Sequence, residues 1–217
     1  MKPYAELRNQ MVDRDLISMG IKNEAVLDAM RTVPRELFVA AGDEDIAYME
    51  GPLGIGQGQN ISQPYIVALM AELLELAPEK SVLEVGTGSG YAAAVLSLIA
   101  KEVYTVERHA ALAKQAETRF QSLGYDNIRV KIGDGTLGWE RFAPFDAILL
   151  SAAARQVPQA LKAQLIIGGV MVLPLGIGKT EQWLVKITKT EADTYATRHI
   201  CPVRFVPIIG KDGWRES

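Results

Sequence analysis

Apolar residues recur at helical spacing from residue 4 to about 31. Leu7, Met11, Leu16 and Met19 fall roughly on one face, and Val26, Leu27 and Met30 continue it beyond a break at Gly20. Thr32-Val33-Pro34 interrupts the pattern, and Arg35 to Val39 adds one short helical turn. These segments read as an N-terminal helical cap with a solvated charged face. Residues 48–63, YMEGPLGIGQGQNISQ, follow no period. Gly51, Gly54, Gly56 and Gly58 with Pro52 predict a shaped loop without regular structure. Pro64 then opens an apolar helical run through Ile66, Val67, Leu69, Met70, Leu73 and Leu74, ending near Leu76-Ala77-Pro78.

From Ser81 short apolar runs alternate with helical ones. Ser81 to Val85, Lys101 to Glu107, Ile128 to Ile132, Phe145 to Leu150 and Val170 to Pro174 read as strands. Tyr91 to Ala100, His109 to Gly124 and Val157 to Leu165 read as the helices between them. Further on, Gln182 to Thr188 and Tyr195 to Cys201 flank a polar turn, Lys189 to Asp193, and predict an antiparallel hairpin. The order predicts a Rossmann-like α/β fold: a doubly wound, mostly parallel sheet with antiparallel C-terminal strands and an N-terminal helical cap. One domain spans 1–217, with residues 1–63 forming the N-terminal helices and loop and 64–217 the core. No repeat or linker interrupts it.

The chemistry concentrates where the first strand meets its helix, at Glu84-x-Gly86-x-Gly88-x-Gly90. Glycines let the backbone turn sharply and approach a ligand closely. A dinucleotide fingerprint requires glycine at the sixth position; Tyr91 stands there, which argues against an NAD-dependent oxidoreductase. Glu107, at the carboxyl end of the second strand, is positioned to accept hydrogen bonds from two ribose hydroxyls, or is an exposed strand-end acid. Asp134, just past the third strand, is either a reader of an adenine amino group or a turn residue. Ser151-Ala152-Ala153-Ala154, after the fourth strand, leave room for a ligand. Ser62 caps the following helix or presents its hydroxyl toward a substrate, and the two roles are compatible.

Composition narrows the field further. The 217 residues are 48% hydrophobic, enough for a substantial core. A formal net charge of −3 gives no support to a sequence-independent grip on nucleic acid. The single cysteine, Cys201, excludes an intrachain disulfide and fits a reducing compartment. The charged N-terminus is unlike a signal peptide, and no apolar run is long enough for a membrane span. A cytoplasmic protein is expected. His109 and His199 have no recognisable catalytic spacing and read as surface or structural residues. There is no nucleophile elbow and no metal-ligand cluster.

The Glu84–Gly90 stretch closely resembles the first motif of class I S-adenosylmethionine (SAM)-dependent methyltransferases. With AYMEGPLGIGQGQNISQP (47–64), GDGTLGW (133–139), FDAILLSAA (145–153) and VRFVPI (203–208), the chain resembles the protein-L-isoaspartate O-methyltransferase family. The match covers most of residues 5 to 208. That resemblance implies transfer of a methyl group from SAM to the free α-carboxyl of L-isoaspartyl residues in damaged proteins and peptides, by a monomer. It implies Ser62 as the catalytic hydroxyl. It implies cofactor contacts from Ile61 and Ser62 in the loop and from Glu84, Val85, Gly86, Thr87, Gly88, Ser89 and Gly90 at the glycine turn. Glu107 and Arg108, then Asp134 and Gly135, complete the set; no metal is implied. The late VRFVPI stretch, with Arg204 and Phe205, would border the peptide site. The chain departs from the family pattern at Asn60, where threonine is usual, and at Gly54, where proline is usual. A SAM-binding module without turnover and a methyltransferase acting on nucleic acid or small molecules share the first motif. An Asn/Asp-Pro-Pro-aromatic motif, frequent in base amino-group methylases, is absent after the fourth strand.

Overall fold

A computed structural model of the chain describes residues 3–176 and 181–215. The outermost residues of the 1–217 unit expected from sequence (1, 2, 216 and 217) lie outside them. Helix α1 (Tyr4–Gln10) runs into a π-helical segment, Met11–Leu16, and the chain breaks at Gly20, whose φ is +99°. Helix α2 (Glu24–Thr32) is capped by Asn23, whose side chain accepts a hydrogen bond from the Val26 amide, and stops before Pro34. Arg35–Leu37 forms one 3-10 turn.

The 48–63 segment departs from expectation. Strands β1 (Leu53–Gly56) and β2 (Gln59–Ile61) pair as a small antiparallel ribbon. The two residues between them, Gln57 and Gly58, both have positive φ, +53° and +67°. That turn matches the right-handed twist of a hairpin. The glycines that obscure periodicity therefore serve the hairpin rather than preclude it.

Helix α3 (Pro64–Leu73) begins with proline at its first turn. The core then unfolds as β3 (Ser81–Val85), α4 (Tyr91–Ser97), β4 (Glu102–Glu107), α5 (Ala110–Leu123), β5 (Ile128–Ile132), β6 (Phe145–Leu150), α6 (Gln159–Ala163) and β7 (Leu165–Gly176). Strands β8 (Gln182–Glu191) and β9 (Thr194–Val203) close the sheet. The seven-stranded order is β5-β4-β3-β6-β7-β8-β9, parallel through β7 and antiparallel after it. The chain winds outward from β3 to β5, then returns to lay β6 on the other side of β3. The carboxyl ends of β3 and β6 thus diverge into a crevice, where ligands bind in open α/β sheets.

Both faces of the sheet are covered, so its strands are apolar on both sides. Val82, with Ala94 and Val95 of α4, joins the N-terminal helices in one cluster, which reaches Leu16, Met30 and Phe38. Leu83, Val85, Ile148 and Leu150 pack on the opposite side against Leu161 of α6.

Two late boundaries also differ from the sequence reading. Helix α6 is shorter than Val157 to Leu165, because Leu165 already pairs with Phe145 as the start of β7. A bulge absorbs the residues before Val170: Gly168 has φ +82°, and a Cβ on Gly169 would lie 2.9 Å from the Asp146 carbonyl oxygen. The expected polar turn at 189–193 is mostly strand. Lys189 is buried and donates from Nζ to the Leu165 carbonyl at 2.8 Å, so its charge is satisfied inside β8.

The cap is tied to the core through Glu72 of α3, whose Oε1 accepts the Lys22 and Asn23 amides at 2.7 Å each. Replacing Glu72→Ala removes both charge-assisted bonds and is expected to cost about 1–2 kcal/mol. Urea unfolding should register this as a lowered midpoint with an unchanged slope. A midpoint equal to that of the unmodified chain would mean that water replaces the carboxylate without loss.

Candidate active site

The chain leaves β3 through three glycines of positive φ, Gly86 (+95°), Gly88 (+53°) and Gly90 (+91°). Glu107, the last residue of β4, holds this turn: its Oε2 accepts the Gly88 amide and its Oε1 the His109 amide, each at 2.9 Å. A carboxylate offers about four lone-pair directions, so both oxygens retain capacity for further donors. Beneath the turn, Thr87 Oγ1 lies 2.6 Å from Thr105 Oγ1, and Thr105 Oγ1 is 2.6 Å from Glu84 Oε2.

Glu84 is fully buried, and its Oε1 has no hydrogen-bond partner among the described residues. Burial pushes its carboxyl up to about 8, opposed by the Thr105 hydrogen bond and reinforced by the nearby Glu107 charge. At neutral pH Glu84 is therefore mostly protonated in the unliganded protein.

A cleft opens over this turn. The β2 end contributes Asn60, Ile61 and Ser62; the end of β6 contributes Ser151 and Ala152; residues 206–209 close the far side. The last segment is anchored across the end of β6: the Ala153 amide donates to the Val206 carbonyl and the Ile208 amide to the Ala153 carbonyl, both at 2.8 Å. Gln182 grips the preceding residue, with Oε1 accepting the Phe205 amide at 2.7 Å. Outside the cleft lies a groove lined by Pro52, Gln63, Ile66 and residues 202–205. Asn60, Ser62, Ser151, Val206 and Pro207 line both. Ser62 therefore stands at the junction of an inner cleft and an outer groove. The N-cap position of α3 is Gln63, without a side-chain capping bond, so the Ser62 hydroxyl is not used to cap that helix.

Eleven of the sequence-predicted residues line the one cleft: Ile61, Ser62, Glu84, Val85, Gly86, Thr87, Gly88, Ser89, Glu107, Arg108 and Gly135. Gly90 and Asp134 do not. A Cβ on Gly90 would lie 2.7 Å from Phe120 Cζ, so this glycine serves the approach of α5 to the turn. Asp134 is bound to its own chain: Oδ1 accepts from the Thr136 amide and hydroxyl, and Oδ2 from the Lys211 amide at 2.7 Å. Burial raises its carboxyl, but the bonds from Lys211 and Thr136, with the Lys131 charge, outweigh that and hold it below the ordinary range. Its turn reading describes this geometry, with the C-terminal segment as an added partner that no local pattern announces.

His109 and Asn60 are cleft residues that sequence reasoning missed. His109 lines the wall beside Glu107 and carries a buried Nε2 without a partner among the described residues. Its position next to the strand-end acid was the available signal. Asn60 owes its place to the fold of the loop, whereas Ser151, at the β6 end where the sequence left room for a ligand, does line the cleft.

Cofactor fit can be judged on the unpaired groups. The cleft offers a strand-end carboxylate with spare acceptor capacity, a buried carboxyl oxygen without a donor, and three glycines that keep the backbone bare. A molecule bearing hydroxyls, an amino group and a positive centre meets those needs, and SAM is such a molecule. Among the described residues no group of three or more His, Cys, Asp or Glu could hold a metal ion.

Comparison with known proteins agrees. The family model for protein-L-isoaspartate(D-aspartate) O-methyltransferase (PCMT) matches residues 6–213. Protein-L-isoaspartate O-methyltransferase 1 of Geotalea uraniireducens (strain Rf4) is 52% identical over 214 residues, 99% of this chain and 98% of that one. A solved protein-L-isoaspartate O-methyltransferase superposes with a TM-score of 0.85 at 25% identity, covering 95% of this chain and 67% of that one. A Plasmodium falciparum candidate of the same kind, solved with S-adenosyl-L-homocysteine, shares the fold: TM-score 0.79, 23% identity, 93% and 98% coverage. The chain belongs to the protein-L-isoaspartate(D-aspartate) O-methyltransferase family of SAM-dependent methyltransferases.

Proposed function

We propose that Ser62 orients the substrate's free α-carboxylate at the junction of the two cavities while Glu84 and Glu107 hold the cofactor in the inner one. The reaction is the family's: methylation of the α-carboxylate that an L-isoaspartyl linkage leaves free, giving a methyl ester and S-adenosylhomocysteine. SAM, when bound, supplies a methyl group made electrophilic by its sulfonium. The observation that carries this reading is the shared lining at Ser62, the one hydroxyl of the 47–64 loop that faces both spaces.

A carboxylate is already ionised at pH 7, so the site needs no strong base. What it needs is alignment, and an oxygen held in line with the methyl group gains its rate from orientation. Ser62 donates one hydrogen bond to the substrate carboxylate and leaves the attacking oxygen uncovered. Asn60, two residues before Ser62, lines the same cleft with a second donor. The outer groove, walled by Arg204, Phe205 and Ile66, receives the peptide on either side of the isoaspartyl residue. Glu107 takes the ribose hydroxyls on the lone pairs left over from Gly88 and His109. Glu84 offers Oε1 to a cationic or N–H group of the cofactor.

The protein is proposed to act as a monomer in the cytoplasm, with no nucleic acid or membrane partner. No described helix is long and apolar enough to cross a membrane. Cys201 is a free cysteine, as suits a reducing compartment.

Two peptides of one sequence, differing only in an L-aspartyl or L-isoaspartyl residue, test the function with methyl-labelled SAM. Base-labile label is expected on the isoaspartyl peptide alone; label on neither, with SAM still bound, would discard the substrate. Ser62→Ala is expected to lower kcat by about 10²-fold with SAM affinity nearly unchanged, the mark of a lost orienting contact. Equal loss of both would remove Ser62 from the proposed role. Glu107→Ala is expected instead to weaken SAM binding by at least about tenfold, as its hydrogen bonds to a charged acceptor are lost. Calorimetric titration giving an unchanged Kd would misplace the ribose contact.

Glu84 yields a pH prediction in the unliganded protein. Its folded carboxyl, at about 8, lies above the ordinary unfolded value, so between roughly pH 4.5 and pH 8 the folded chain holds a proton that the unfolded chain lacks. Stability then falls as pH rises through that window, by up to about 1.4 kcal/mol per unit. Glu84→Gln removes the dependence, and its advantage over the parent should grow from pH 5.5 to 8 in urea titrations. Parallel profiles would mean that Glu84 is ionised throughout.

A further inference from the structure

Among the described residues Arg35 is the largest fully buried side chain, and no carboxylate lies within ion-pair distance of it. Burial lowers its affinity for the proton, the neighbouring Tyr91 and then the Glu50 charge oppose this, and Nη1 has no hydrogen-bond partner among the described residues. Such a group is costly to keep unless its geometry does something that an apolar side chain cannot. Its bonds indicate what. Nε donates to the Ala47 carbonyl at 2.6 Å, and Nη2 donates to the Ser62 carbonyl at 2.8 Å. Those carbonyls flank residues 48–61, which form the β1–β2 ribbon and its approaches. One edge of a guanidinium therefore clasps both ends of the glycine-rich loop.

The other side of Arg35 leads to the cofactor turn. Its guanidinium carbon sits 4.7 Å from the Tyr91 ring centroid, and Tyr91 is the first residue of α4, directly after Gly90. Phe38 meets the Tyr91 ring edge-on at 5.6 Å, and Arg119 lies over Phe38 at 5.5 Å. Arg119 Nη1 in turn donates to the Ser89 carbonyl at 2.6 Å, inside the glycine turn. A continuous stack of two guanidinium groups and two rings thus runs from the loop ends to the turn.

We propose that Arg35 is a positioning residue for methyl transfer: it fixes the Ser62 backbone relative to the cofactor turn by clasping the two ends of the loop. It acts through Ser62 and touches neither reactant. The role rests on the proposed function of Ser62. It also accounts for arginine over lysine, since only a planar fork presents two parallel donors to two carbonyls at once.

Arg35→Lys keeps the charge and most of the stem but can hold one carbonyl at a time. Hydrogen–deuterium exchange on the full chain, without ligand, should then show amides of 48–62 exchanging about tenfold faster, with β3 and β4 unchanged. Turnover of an isoaspartyl peptide should fall by about 10–100-fold, with the Kd for SAM within about threefold of the parent. Arg35→Gln, which buries no charge, is read in the same way should the lysine variant fail to fold. Unchanged exchange in the loop would overturn the proposal. So would acceleration spread over β3 and β4 with SAM affinity and turnover falling together, since that is what a purely structural arginine would produce. Should the parent chain itself fail to methylate isoaspartyl peptides, the proposed function fails, and the exchange result alone decides the clasp.

Discussion

Everything in this site follows from the need to bring a chain out of β3 with its backbone bare. Gly86, Gly88 and Gly90 all have positive φ, and each faces a different element. A Cβ on Gly86 would meet Ser151 Cβ at 3.5 Å, at the end of β6. One on Gly88 would meet Ile55 Cδ1 at 3.3 Å, in the loop ribbon, and one on Gly90 would strike Phe120 in α5. The turn is therefore a meeting point of the sheet, the β1–β2 ribbon and a helix. Its conformation would be strained for any side chain, and it is held because Glu107 pulls the Gly88 amide onto the end of β4.

Holding that turn leaves polar groups underserved. Glu84 Oε1 and His109 Nε2 are buried without partners among the described residues, and both residues line the cleft. Buried polar atoms are almost always paired in native proteins, and each orphan costs of the order of 1–3 kcal/mol. Two orphans on one cleft wall mark a surface arranged for something other than the empty protein. The cost also indicates the sign of the coupling: a ligand that supplies the missing donor stabilises the fold by binding. Other side chains around the sheet are satisfied internally. Asn127 Nδ2 reaches the Ser97 carbonyl at 2.9 Å, and Asp146 Oδ2 takes the Ser81 amide and hydroxyl, so those half-buried polar groups are structural.

Most of the core was legible because it repeats one pattern. Apolar strands bounded by glycine or polar turns, alternating with amphipathic helices, leave few topologies open, and the strand ends carrying Glu84 and Glu107 follow directly. The hairpin was not legible, because one built on Gly56, Gln57 and Gly58 looks locally like a loop without regular structure. The start of β7 was hidden for a related reason: a bulge at Gly168 and Gly169 breaks the alternation that would have joined Leu165 to Val170. Asp134 illustrates a different limit. Its local sequence, Gly-Asp-Gly, suits both a turn and a ligand contact; Thr136 takes one carboxylate oxygen locally, and the other is taken by Lys211, 77 positions away. The resemblance to a family is what singled out Ser62. The role proposed for Arg35 depends on two carbonyls separated by a loop, which no motif records.

The division of labour among these residues follows from the nucleophile. An isoaspartyl α-carboxylate arrives ionised and weakly basic, so a histidine or lysine tuned to remove a proton would have nothing to remove. The site spends its architecture on geometry instead: a clasped loop, a turn fixed by a carboxylate, and a C-terminal segment locked across β6 through Ala153 and Gln182. Ordering these three pieces before the substrate arrives removes the entropic part of the barrier, which for well-aligned reactants is worth roughly 7–11 kcal/mol. The buried Arg35 is consistent with that logic. A charge kept in the interior is poor value as a source of stability, but a rigid fork that sets the distance between a serine and a cofactor turn contributes where this reaction gains its rate.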